Sequence, residues 1–378
     1  MESDFRNHLY ALVLAGGGGT RLWPRSRNIK PKQFIKLFNG QTLTQITFNR
    51  LNKILPWDRL YCVTVSEEYK KEIIKEVPEL TEKNIIVEPQ RRDTAPAHGI
   101  GAAFIYKKDP QAVIINESAD RLVGPVNKYL RTLQVAAKIA YEDEIFVSMG
   151  VKPRYPHTGL GHIKKGKAYK KIGGVRLFVA DRFVEKPKIG LAKRFTKSGK
   201  YYWNAGQFVW KATDYLATLG EFEIGVGNSL KNIIDAIGTK NESKVILKEY
   251  EKIPTKTSKG KPMSVDFAVI ENVKKMLVVE GDFFWTDIGD WKEVWNNLPH
   301  DEDDNVIIDG DSPGGEVMNI GSTDSLIQTD GRMVAVIGID NIVIVDTKEA
   351  LLVCSKSRAQ NVKKIVENLK KQNRNELL

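Results

Sequence analysis

Residues 9–15, LYALVLA, are apolar without a break and run directly into Gly16, Gly17, Gly18 and Gly19. A short apolar run stopped by glycine reads as a strand buried on both faces. Such a strand needs strands beside it and helices over it, which commits the chain to a layered fold. The residues that follow keep to that plan. Helical spacing over 43–55, 69–77, 95–106 and 127–141 alternates with strand-like runs over 60–65, 85–87, 112–116 and 145–149. Alternation of this kind predicts a mostly parallel sheet covered by helices.

Beyond residue 150 the texture is mixed. Strands are expected at Ile163 and over 175–180, 206–210 and 276–279, returning to the same sheet, with helices over 191–197, 214–219, 230–237 and 265–272. Residues 299–305, PHDEDDN, are polar and acidic throughout and mark the best boundary in the chain. The expected domains are therefore 1–298 and 299–378. In the second, short apolar strands over 306–308, 326–327, 333–337, 342–345 and 351–354 are separated by turns at Asp330-Gly331, Asp340-Asn341 and Lys348-Glu349. Short strands at that spacing suggest an all-β unit, in the form of a few solenoid coils. An amphipathic helix over 359–371, with Val362, Ile365, Val366 and Leu369 on one face, closes the chain.

Composition narrows the class. No apolar run approaches the ~20 residues of a membrane span, so no membrane association is expected. The N-terminus, MESDFRNHLY, has no basic region followed by an apolar one, so a cytoplasmic protein without a secretory signal is expected. Cys62 and Cys354 sit in apolar runs and read as reduced thiols. Lys and Arg number 58 against 47 Asp and Glu, a net charge of +11. The basic residues are spread along the chain, with concentrations at 164–171 and 356–374, and match no nucleic-acid motif. Solvated basic faces and an anionic small-molecule substrate explain the charge better than nucleic acid does.

The glycine loop fits neither common phosphate template. G-x-G-x-x-G started at Gly16 needs glycine where Arg21 stands, and started at Gly17 where Leu22 stands; a Walker A loop also fails at Arg21-Leu22. Four glycines after a buried strand still permit close backbone approach, and their N–H groups can cradle phosphates. Arg21 and Lys32 add two cations at the same place.

These residues resemble a known signature. Leu14-Ala15-Gly16-Gly17-Gly18-Gly19-Thr20-Arg21-Leu22-Trp23-Pro24, with Pro31-Lys32-Gln33-Phe34, looks like the sugar-1-phosphate nucleotidyltransferases, and its wording points to the mannose-1-phosphate guanylyltransferase branch. Six more segments follow in the family's order. They are Glu88-Pro89 with Arg92-Asp93-Thr94-Ala95-Pro96-Ala97, then Pro156-His157-Thr158-Gly159-Leu160-Gly161, Phe183-Val184-Glu185-Lys186-Pro187, Trp203-Asn204-Ala205-Gly206, Val265-Asp266-Phe267-Ala268-Val269-Ile270-Glu271 and Trp285-Thr286-Asp287-Ile288-Gly289-Asp290-Trp291.

The resemblance implies an α/β fold: a Rossmann-like, GT-A-like mixed sheet followed by a short C-terminal β-rich domain, a partial left-handed β-helix. It implies a reaction between GTP and mannose-1-phosphate that gives GDP-mannose and pyrophosphate, helped by Mg2+. Asp120 and Asp287 would be the metal carboxylates. Arg21 and Lys32 would hold the triphosphate, together with the loop of Ala15, Gly16, Gly17, Gly18, Gly19 and Thr20. Glu88, Pro89 and Thr94 would line the base pocket. Gly159, Glu185, Lys186 and Asn204 would hold the sugar and its phosphate. The length leaves no room for the isomerase domain that some relatives carry. A Ser-His-Asp or Cys-His set should be absent, because an ionised phosphate oxygen needs no general base.

The departures are equally specific. Arg121 follows Asp120 where the family has His, Arg25 is an added cation, and Ala205 and Gln207 alter the segment near the expected sugar pocket. Arg91 and Asp93 alter the base segment. These keep three alternatives open: a guanylyltransferase for a manno-heptose-1-phosphate, a catalytically silent nucleotide-sugar-binding subunit, and, on charge alone, a nucleic-acid-binding protein. His157 and His162 read as loop polarity rather than a zinc site. The basic C-terminal helix reads as an outer face or a subunit contact, as in a homodimer.

Overall fold

The apolar run becomes β1 (Leu9–Leu14), a buried interior strand, third from one edge of a nine-stranded sheet. In the computed structural model the described residues are 4–17, 19–38, 40–310, 312 and 314–378. The remaining strands of this sheet are β2 (Leu60–Thr64), β3 (Ile85–Val87), β4 (Val113–Ser118), β5 (Phe146–Val151), β6 (His162–Ile172), β7 (Val175–Val184), β8 (Tyr201–Lys211) and β9 (Met276–Gly281). Their spatial order is β3-β2-β1-β4-β8-β5-β9-β7-β6. The first four are mutually parallel, as the alternation predicts. β8 then runs antiparallel between β4 and β5, and the β6–β7 hairpin folds over so that β6 also meets β8 at Tyr201–Trp203.

This topology positions the site. Because β1, β3 and β4 are parallel, the loops leaving their carboxyl ends emerge on one edge of the sheet, where open α/β sheets bind ligands. Those loops carry Ala15 and the glycines, Glu88 and Asp120. β8 reaches the same edge from the opposite direction. Its ladder is broken between Asn204 and Phe208, and Gly206 stands at φ +65° in the break, which turns Asn204 out of register.

The C-terminal unit is a parallel β-helix. β10 (Val306–Asp309), β12 (Leu326–Thr329) and β14 (Ile342–Asp346) stack on one face, β11 (Val317–Ile320) and β13 (Val334–Ile337) on a second, all in parallel. β15 (Leu351–Ser355) lies antiparallel on β14 and closes the stack. Leu326, Val343 and Val345 form one buried group with Leu22, Trp23, Trp291 and Val294 of the first domain. Each such side chain withdrawn from water contributes roughly 1.5–3 kcal/mol, so the seam joins the β-helix firmly to the turn after the glycine loop.

Some elements differ from the expected ones. The helix expected over 265–272 is a single π-helical turn, Asp266–Ile270, widened where Asp266 bonds across to Asn204. Helices Glu242–Lys252 and Trp291–Asn296 and strand β11 are elements beyond the expected ones. In the last helix, Val362–Lys371, Val362 and Val366 are buried against the chain's own Leu22 and Trp23, so that part of its apolar face is used internally. Both cysteines are free; Cys62 is buried and burial pushes its thiol up.

Candidate active site

Lys32 lies at the centre of the nucleotide side. Its ammonium is 2.8 Å from Asp120 Oδ2 and donates to the Asp287 carbonyl oxygen at 2.7 Å, so one buried cation ties the two expected metal residues together. Gly19, at φ +56°, makes that possible, because a Cβ there would come within 2.5 Å of the Lys32 stem. The close approach the glycine loop permits includes one to the chain's own lysine. Gly18 lies outside the described residues. Arg21 extends from the short helix Thr20–Leu22, exposed and beside Gly289 and the Asp287 carboxylate.

Burial alone would raise the carboxyl of Asp120, yet Lys32 and Arg121 hold it at about 2. Its Oδ1 atom is buried and lacks a hydrogen-bond partner, with Arg121 Nε 3.3 Å away. The Arg121 guanidinium lies over the buried ring of Trp285, 4.7 Å from its centre. Trp203, Trp285 and Trp291 are all buried. The Trp291 indole donates to the Trp23 carbonyl and so fastens the Asp287 segment to the glycine-loop turn.

A cavity of about 270 Å³ opens between these loops. Its walls include Ala15, Gly16 and Gly17, then Glu88 and Thr94, then Ser118 to Asp120. Three segments widely separated in sequence thus meet at one cavity. Arg91, Asp93 and Gln33 also line it, whereas Pro89 and Thr20 do not. Glu88 is buried; its Oε1 accepts from the Arg92 amide at 3.3 Å and the Tyr250 hydroxyl at 3.1 Å, and burial pushes its carboxyl up to about 7. Thr94 opens helix Thr94–Lys108 and its hydroxyl accepts from the Val265 amide.

The sugar side collects residues from four strands and loops. Asn204 accepts from Ser148 and from the Gly206 amide, donates to Asp266 at 3.0 Å, and its own amide donates to the Gly161 carbonyl. A Cβ on Gly161 would stand 2.6 Å from Glu185 Oε2, so the bare backbone lets the Glu185 carboxylate come close. Lys186 pairs with Glu185 at 2.7 Å. Gly159, expected to give that close approach, instead lies in the exposed loop with its amide on His157 Nδ1. Asp266, half-buried and near Glu185, has its carboxyl raised to about 7, first by desolvation and then by the Glu185 charge. Asp266 is not among the expected site residues, although the motif around it is visible in the sequence.

Gln207 corrects an expectation. It does not face the sugar side: it is fully buried and donates to Glu117 and Tyr129. Glu117 also pairs with Arg50 and accepts from Tyr129, which makes a buried polar network under the β4–Asp120 turn. Nothing in the local sequence announces it, because its members come from four separate elements.

A family model for nucleotidyl transferases matches residues 10–304, and one for a mannose-phosphate isomerase/GMP-like β-helix domain matches 315–369. A mannose-1-phosphate guanylyltransferase of Klebsiella pneumoniae is 34% identical over 97% of this chain and 75% of its own length. The chain is a member of the mannose-1-phosphate guanylyltransferase family of nucleotidyl transferases. Mannose-1-phosphate guanylyltransferase 2 of Escherichia coli O157:H7 is 33% identical over 98% of the chain and 75% of that protein. Among solved structures, one described as a mannose-1-phosphate geranyltransferase from Thermus thermophilus superposes at TM-score 0.80, 28% identical, over 96% of this chain and 99% of that one. The fold is thus shared with that structure along nearly the whole chain. No helix among the described residues is long and apolar enough to cross a membrane.

Proposed function

We propose that this chain transfers GMP from GTP to mannose-1-phosphate, giving GDP-mannose and pyrophosphate in the cytoplasm. The observation that carries this reading is the meeting of Lys32 and Asp287 with Asp120, which lines the glycine-loop cavity, together with the Asn204–Glu185–Asp266 cluster. An oxygen of the sugar phosphate attacks the α-phosphorus of GTP. A new P–O bond forms as the bond to the β-phosphate oxygen breaks, and pyrophosphate leaves. The attacking oxygen is already ionised, so the work lies in bringing two polyanions together and stabilising the departing charge.

The chain supplies each part. The glycine backbone and Arg21 bind the triphosphate, and Lys32 faces the charge that develops on it. Glu88 offers a carboxylate to the base, whose N–H donors suit an acceptor. Glu185, Asn204 and Asp266 orient the sugar hydroxyls, and Lys186 neutralises its phosphate.

A divalent metal fits the donor set. Asp120 has a buried carboxylate oxygen without a hydrogen-bond partner, and the Asp287 carboxylate lies beside Arg21. Among the described residues there is no cluster of three acidic, His or Cys ligands. That suits Mg2+, which takes one or two carboxylates and completes its shell with phosphates and water. Bound there by Asp120 and Asp287, it would neutralise charge on the α-phosphate and the leaving group.

The domain division at 298/299 belongs to this reading. The names of the relatives favour mannose over a heptose, and the partly unsatisfied Asp120 argues against a silent subunit. The test is a matrix of nucleoside triphosphates against sugar-1-phosphates with pyrophosphate release as readout. GTP with mannose-1-phosphate should exceed every other pair by at least about tenfold; release with no pair at all overturns the reading.

A further inference from the structure

Arg121 is the cation that the proposed reaction has not used. Its guanidinium lies over the Trp285 ring, with Nε turned toward Asp120. No hydrogen bond joins it to another described residue, and Nε is buried without a hydrogen-bond partner. A guanidinium carries five N–H donors in a planar fork, so this one is positioned but largely unspent.

Its location decides what it can meet. Ser118, Ala119 and Asp120 line the nucleotide cavity, and Arg121 does not. Instead Nη2 lies 3.6 Å from the point where a side chain on Gly206 would begin. Gly206 is part of the break in β8 that presents Asn204, whose neighbours are Asp266 and the Gly161 backbone against Glu185. The fork therefore sits between the metal carboxylate and the sugar side. That is where the phosphate of a sugar-1-phosphate must stand to reach the α-phosphorus.

We propose that Arg121 binds the phosphate monoester of the acceptor sugar through its Nη groups, with Trp285 as the platform that fixes the fork. This rests on the proposed guanylyl transfer and adds to it a residue that selects and aims the attacking phosphate. Phosphate oxygens match a guanidinium fork in two parallel hydrogen bonds, which a lysine at the same place does not reproduce. Lys186, tied to Glu185 and more exposed, neutralises the same group from the other side.

The test uses the full chain and the variants Arg121→Ala, Arg121→Lys and Arg121→Met. KM and kcat are measured with mannose-1-phosphate varied, and GTP affinity is measured separately by calorimetry. Arg121→Ala should raise the KM for mannose-1-phosphate at least about tenfold and leave the Kd for GTP within about twofold. Arg121→Lys should recover only part of the loss. Arg121→Met keeps the stem over Trp285, and should match the alanine variant if the fork is what matters; it also decides the question if the alanine variant melts early. A KM changed less than about threefold in the Ala and Met variants overturns the proposal while leaving guanylyl transfer intact. So does a parallel loss of GTP affinity. A wild-type chain without turnover overturns both.

Discussion

The two halves of the cleft are built in opposite ways. The nucleotide half comes from the parallel strands β1, β3 and β4, and each contributes the loop at its own carboxyl end. The sugar half comes from β8, the β6–β7 hairpin and the Asp266 turn, so its members are linked by side-chain hydrogen bonds across large sequence distances. The charges differ as well. Cations and backbone amides dominate the first half, and Asp120 is held strongly acidic by Lys32 and Arg121. In the second, Asp266 and Glu185 lie near each other, both half-buried, and the carboxyl of Asp266 is pushed up. A polyanion calls for fixed positive charge, whereas neutral hydroxyls call for acceptors held close together.

The contrast breaks most sharply at Asp287. Asp287→Asn should lower kcat by about 10²–10³-fold, the scale of losing one electrostatic contact to the reacting phosphate, with GTP affinity within about threefold. Steady-state kinetics with calorimetry separates the two; unchanged kcat removes Asp287 from the reacting centre. Lys32→Met should come next, because it leaves Asp120 without its closest cation. A loss of about 2 kcal/mol of stability, read by chemical denaturation, should accompany a kcat reduced by about tenfold or more.

On the sugar side, Asn204→Ala should raise the KM for mannose-1-phosphate by about tenfold and leave that for GTP unchanged. An equal rise in both would merge the two halves. The pH dependence sharpens the same division. Asp266 has a folded pKa of about 7, above the ordinary carboxylate value. Its protonated form therefore favours folding, and that contribution is lost as pH rises from about 4 through 7. Asp266→Asn should accordingly raise Tm more at pH 8 than at pH 5. A Tm difference independent of pH would mean that Asp266 is ionised throughout. The smallest effect is expected at the C-terminal end, where the chain packs behind the glycine-loop turn. Removing Leu377 and Leu378 frees the Trp23 indole, whose N–H donates to the Leu377 carbonyl at 2.8 Å. Tm should fall by a few degrees with both KM values unchanged.

The parallel half was legible because its signals are local. An apolar run, a glycine loop and helical spacing each sit within a few residues, and the expected strands fall within a few residues of the observed ones. Ala15, Gly16, Gly17, Glu88, Thr94 and Asp120, each named from its own local segment, line one cavity. The sugar half was less legible. The bond between Asn204 and Asp266 depends on a register break in β8 and a single π-turn, neither of which has a periodicity to detect. Gln207 illustrates the same limit: adjacency to Asn204 suggested a shared pocket, but alternation along β8 turns it to the Glu117 network instead. Arg121 was visible as a departure, yet only the fold shows that Trp285 lies beneath it.

The most direct measurement is the yield of GDP-mannose and pyrophosphate from GTP and mannose-1-phosphate, with the purified wild-type chain and Asp287→Asn side by side. Equimolar products from the wild type, and a rate lower by two orders of magnitude or more in the variant, are the predicted result. Absence of GDP-mannose from the wild type, or full activity in the variant, would contradict it.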